Sequence, residues 1–127
     1  MTKLQLAKLR QEVCRLKGRR STLERIAMSF VPMVAASFYE RRFRPGGAPA
    51  HYLSIPTPQK AWHRYVRKDE LDYFRRRAEN WREYVNAMAG WVRVNREIER
   101  RLRALGKGRC EKLEVRRGGK SAWVQPK

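Results

Sequence analysis

The sequence is poor in acid, cysteine, histidine and long apolar runs, and each shortage excludes something. Only 12 of its 127 residues are Asp or Glu, against 31 Lys and Arg, which leaves a net charge of +19. No two carboxylates stand out as a pair for acid–base or two-metal chemistry. Asp69, Glu70 and Asp72 read instead as residues of a helix start, where the helix dipole favours anions. The two cysteines, Cys14 and Cys110, lie far apart and supply no disulfide framework, so a reducing cytoplasm is the compartment expected. Even combined with His51 and His63 they lack the short paired spacing of a structural zinc site, and no metal or other cofactor is expected. Gly119-Lys120-Ser121 looks like the end of a phosphate-binding loop, but the position that would need the first glycine of that motif is Glu114. The longest run free of charged residues and histidine, Ile26–Tyr39, has 14 residues and contains Pro32. It is too short for a bilayer core of about 30 Å, and no membrane association is expected. Lys8, Arg10 and Arg15 interrupt the N-terminal stretch and argue against a secretory signal.

What remains is a small, strongly basic chain with apolar material for one modest core. Hydrophobic residues make up 42% of the sequence and aromatics 10%, which excludes a wholly disordered basic polypeptide. The ordinary partner of so large an uncompensated positive field is a polyanion, DNA or RNA, and an enzyme is not expected. Residues 1–20 carry +6, residues 107–127 carry +5, and the segment between them holds the remaining +8. The excess is therefore not confined to the ends. Arg outnumbers Lys by 22 to 9; its planar fork suits bidentate phosphate contact and stacking on bases, although a GC-rich genome would produce the same ratio.

The pattern predicts an α+β fold. Leu6, Leu9, Val13 and Leu16 step by three and four along a basic amphipathic helix over residues 3–17, which Gly18 would stop. Ser21 with Glu24 forms a capping-box signature, so a short second helix is expected there, with Ile26, Phe30 and Met33 facing inward and Pro32 ending it. Three short runs follow: Val34–Phe43, His51–Ile55 and Ala61–Val66. Pro45-Gly46-Gly47-Ala48-Pro49 and Pro56-Thr57-Pro58 separate them, as in an antiparallel β-meander. Leu71, Phe74, Ala78, Trp81, Val85, Met88, Val92 and Asn95, continued by Ile98, Leu102 and Leu105, then mark one long helix from about Asp69 to Leu105. It would be about 55 Å long, with Gly90 a possible kink and Gly106 its C-terminal glycine. Its natural antiparallel partner is the N-terminal helix. The division expected is a basic helix over 1–20, a meander and long-helix core over 21–106, and a basic tail or small hairpin over 107–127. In the hairpin, Leu113-Glu114-Val115 would pair with Ala122-Trp123-Val124.

Arg93, Arg96, Arg100 and Arg103 recur on one face of the long helix, about 100° round from its apolar stripe. They span roughly 15 Å, comparable to a few successive phosphates. A solvated face would look the same, with Glu97 and Glu99 partly neutralising it. The meander interleaves aromatic and basic side chains: Phe38, Tyr39, Arg41, Arg42, Phe43 and Arg44, then His51 and Tyr52, then Trp62, His63, Arg64 and Tyr65, with Arg67 just beyond. Tyr39, Arg41 and Phe43 would share one sheet face, able to stack bases unless core packing consumes it. Arg19, Arg20, Arg116, Arg117 and Lys120 add basic groups near the two ends.

The runs Ser37-Phe38-Tyr39-Glu40-Arg41-Arg42, His51-Tyr52-Leu53-Ser54 and Arg64-Tyr65-Val66-Arg67-Lys68-Asp69-Glu70-Leu71 together resemble a family of small, functionally uncharacterised prokaryotic proteins often found near mobile genetic elements. The resemblance covers roughly residues 21–105. Members carry a cysteine-rich turn between the first two strands; Arg44-Pro45-Gly46-Gly47-Ala48-Pro49 stands there in this chain, without cysteine, so the metal role that the resemblance implies is withdrawn. The function expected is non-catalytic binding of nucleic acid by phosphate contact, with RNA in a ribonucleoprotein of a mobile element or defence system favoured over duplex DNA. The alternative is a protein-interaction subunit, docking on a larger partner or self-associating through the long helix.

Overall fold

A computed structural model describes residues 1–113. The order of elements is helix α1 (Lys3–Ala27), strands β1 (Ser37–Arg41), β2 (Ala50–Ile55) and β3 (Trp62–Val66), a single 3-10 turn (Lys68–Glu70), and helix α2 (Leu71–Arg109). The architecture is α+β, as the pattern predicts. The chain forms two compact units. One joins Met1–Leu23 to the described residues from Gly90 on, and the other is the contiguous stretch Glu24–Ala89.

The contiguous unit is built on the sheet. Pairing is antiparallel in the order β1-β2-β3, with Phe38 opposite Leu53, Tyr39 opposite Tyr52, and Tyr52 opposite Tyr65. Alternation then assigns Phe38, Leu53, Ile55 and Val66 to one face. That face meets Leu71, Phe74 and Ala78 of α2, and Ala36 closes the cluster. Leu53 and Val66 are only 1% and 2% exposed, and removing each from water contributes about 1.5–3 kcal/mol. The β1–β2 turn depends on Gly46, at φ 74°, and on Gly47, where a Cβ would sit 3.2 Å from the Arg44 carbonyl oxygen. Ahead of the sheet, the Val34 amide donates to the Arg77 carbonyl (3.1 Å) and Asn80 Nδ2 to the Pro32 carbonyl (3.0 Å), pinning this segment to α2.

The other unit is an antiparallel helix pair. Thr2 and Gln5 cap α1 reciprocally: the Thr2 amide donates to Gln5 Oε1 and the Gln5 amide to Thr2 Oγ1. Val13, Leu16 and Leu23 are its buried residues. Leu23 lies against Gly90, Arg20 donates to Asn95 Oδ1, Arg101 pairs with Glu12, and Leu6 lies against Gly108. This is the partnership that the two apolar patterns imply.

Three expectations are corrected. Gly18 does not stop α1, and Ser21 caps no second helix; both lie inside one 25-residue helix. A glycine lowers helix propensity by about 1 kcal/mol, which the burial of Leu16 and Leu23 on either side of it outweighs. Phe30 and Met33 do not face inward, because α1 ends at Ala27 and leaves Phe30 fully exposed in the following segment. Gly90 does not interrupt α2, and Gly106 does not end it; the helix runs 39 residues to Arg109. The hairpin expected across Leu113–Val124, with Arg116, Arg117 and Lys120, lies outside the described residues.

Among the described residues, no helix is long and apolar enough to cross a membrane.

Candidate functional site

Position along α2 decides what its arginines can do. Arg93, Arg96, Arg100 and Arg103 are all exposed, yet they are not equivalent. Arg100 Nη1 lies 3.1 Å from Glu97, and Arg103 Nη2 lies 2.8 Å from Glu99, pairs at three- and four-residue spacing on the same helix. Arg93 and Arg96 meet no carboxylate among the described residues. The row therefore divides into a neutralised end and a free end.

Arg101 is a residue that the sequence reading missed. It sits one position from the expected row, on the side turned toward α1. There its Nε donates to Glu12 (2.6 Å) while its Nη1 donates to the Glu97 carboxylate. The hydrogen bond from Arg101 is the main reason that the Glu97 carboxyl lies below its ordinary value, with the charges of Arg100 and Arg101 adding to it. The same bonds, to Glu97 and then Glu12, raise Arg101 further above its own. The signal was present: Ile98, Arg101 and Leu105 step by three and four, the spacing of a seam position.

The described part of the helix-pair unit holds fifteen Lys and Arg against four acidic residues. Glu12, Glu97 and Glu99 are three of those four, and each is bound to an arginine within the unit. Arg19 is exposed without a carboxylate partner among the described residues, while Arg20 is held by Asn95 at 3.1 Å.

The arginines of the sheet unit have more varied surroundings. Arg64 projects on the core face, with its guanidinium 4.7 Å above the Phe74 ring and 3.2 Å from Glu70. Arg67 is engaged at the start of α2: its amide donates to Glu70, and its Nε lies 3.5 Å from Glu70 and 3.6 Å from Asp69. Arg42 donates to the Gly47 carbonyl and pairs with Glu40, bracing the β1–β2 turn. Arg41 and Arg44 meet no carboxylate among the described residues; Arg41 lies 5.0 Å over the Phe43 ring.

The sheet face opposite the core carries Tyr39, Arg41, Tyr52, His63 and Tyr65. Tyr39 stacks on Tyr52 at 5.6 Å and 19°, Tyr65 meets Tyr52 edge to face at 5.7 Å, and Phe43 joins at 6.4 Å. The Tyr39 hydroxyl and His63 Nδ1 share a 2.8 Å hydrogen bond. Core packing claims Phe38 and Leu53 but none of these rings.

Cys14 and Cys110 are free and exposed, and among the described residues no three His, Cys, Asp or Glu side chains gather as a metal site would require. Comparison with protein-family models, with curated proteins and with solved structures finds no match to this chain.

Proposed function

We propose that this protein is a non-catalytic nucleic-acid-binding protein of the cytoplasm, accessory to a ribonucleoprotein of a mobile element or defence system and engaging RNA. The observation that carries the reading is the charge inventory of the helix pair. Most of its carboxylates are bound to arginines inside the unit, so Arg93, Arg96 and Arg19 are left to face solvent with their charge uncompensated. Such groups release condensed counterions when they meet phosphates, and that release is the main source of sequence-independent affinity.

Fluorescence anisotropy with a labelled RNA across a salt series tests this. Affinity is expected to fall with salt along a log–log slope of several units, about 0.7 per phosphate contact for a single strand. A salt-independent Kd, or no binding at low salt, overturns the proposal.

A second reading, a protein-interaction subunit, draws support from exposed apolar residues. Met28 and Phe30 stand open between α1 and β1, and Val85, Met88 and Val92 of α2 are about two-fifths exposed. Light scattering separates the two readings. A nuclease-resistant oligomer with no copurifying nucleic acid favours the second.

A further inference from the structure

The open sheet face combines three properties that nothing in the fold uses. First, two of its rings are accessible, while Tyr39 and Tyr52 are half-buried. Tyr65 is 56% exposed and Phe43 64%, although the chain has a core face on which aromatic area would stabilise the fold more. Second, the rings form a connected row. Tyr39, Tyr52 and Tyr65 occupy one register line across all three strands, at centroid separations of 5.6 and 5.7 Å. At about 4.8 Å between strands, that row is about 10 Å wide, room for two or three bases. Third, no strand residue on this face is acidic. Ser37, Ala50 and Ser54 complete it, and Glu40, the one acidic residue of the strands, points to the other side and pairs with Arg42. The only full charge among the face's strand residues is Arg41.

We infer that this face is a stacking platform for a nucleic-acid single strand, with bases on Tyr65, Tyr52 and Phe43 and the backbone beside Arg41. The inference rests on the nucleic-acid reading above and deepens it by naming the form of the ligand. In a duplex the faces of the bases are already covered by their neighbours, so exposed rings have nothing to stack on; in a single strand each base offers a free face. An acidic peptide would satisfy Arg41 but leave the ring row unused. Cross-strand contact alone does not require Tyr65 and Phe43 to keep more than half of their surface in water.

Anisotropy with four labelled ligands of about 12 nucleotides tests the inference: oligouridine, oligothymidine, an abasic deoxyribose-phosphate chain of equal charge, and a perfectly paired RNA duplex. The full chain is expected to bind the two base-bearing single strands at least about tenfold more tightly than the abasic chain at equal salt. Tyr65→Ala and Phe43→Ala should each lower oligouridine affinity by about five- to 150-fold while leaving abasic affinity unchanged and lowering the thermal melt by no more than a few degrees, for the lost ring contact with Tyr52; Tyr65→Phe should retain binding. Ultraviolet crosslinking of the unsubstituted chain, mapped by mass spectrometry, gives a readout that needs no variant. Crosslinks are expected in β1, β2 or β3 or at Phe43. Equal affinity for the abasic chain and oligouridine, wild-type binding by both alanine variants, or crosslinks confined to the helices overturns the platform and leaves the charge-based function standing. Absence of binding to all four ligands overturns both.

Discussion

Gly18 and Gly90 both sit inside helices, yet a side chain added at each should act with opposite sign. Nothing lies within 4 Å of a Cβ built on Gly18, so Gly18→Ala should stabilise the protein by about 0.5–1 kcal/mol, read by urea unfolding. At Gly90 the same atom meets both Leu23 methyl groups at 3.3 and 3.4 Å, and Gly90→Leu should destabilise by about 1–3 kcal/mol. Glu97 supplies a second residue-scale test. Its carboxyl titrates below its ordinary value of 4.5, so its bond to Arg101 stabilises the fold at neutral pH; that contribution is lost as pH falls from the usual glutamate range through the lowered value. Glu97→Gln should therefore be less stable than the parent at neutral pH and approach it in acid. An NMR titration of the Glu97 side-chain carbon should show the lowered midpoint directly.

At the scale of elements, the two halves of the arginine row should respond differently. Arg93→Gln with Arg96→Gln is expected to weaken RNA binding and reduce the salt slope by about 1–1.5, while Arg100→Gln with Arg103→Gln should change it by less, because Glu97 and Glu99 already hold those guanidinium groups. The sequence marked the row but not its division, since spacing places side chains on a face without saying which neighbour each will choose. The meander was the more legible element. Proline and glycine clusters bound its strands at Arg41, Ala50, Ile55 and Trp62, and turn chemistry is local enough to read directly. The long helix was legible in extent, and in phase only at Leu71, Phe74, Ala78 and Ile98. Its largest apolar side chains suggested a stripe through Val85, Met88, Val92 and Leu102, all of which are substantially exposed. Burial keeps Ala78 and Ile98 of that stripe but between them follows Ala87, Gly90 and Val94. Glycine and alanine register as weak on any hydropathy pattern, yet they are what lets a neighbouring helix approach, so the true seam was hidden behind the bulkier decoy. In α1 the decoys were Gly18 and the Ser21–Glu24 pair, local stop and start signals that burial along the whole helix overrode.

At the scale of the molecule, a net charge of +19 and the discontinuity of one unit have to be read together. The helix pair is made from the two ends of the described chain: Arg20 and Asn95 are 75 residues apart, and Glu12 and Arg101 are 89 apart. During synthesis at roughly 5–20 residues per second, Glu12 is therefore made about 4–18 s before Arg101 exists to receive it. Through that interval a basic segment, marginal as an isolated helix, stands without its partner while the entire sheet is being made. The ribosome's own RNA is the nearest polyanion. The order of translation thus sets up a competition for the first helix, which the second helix can enter only last.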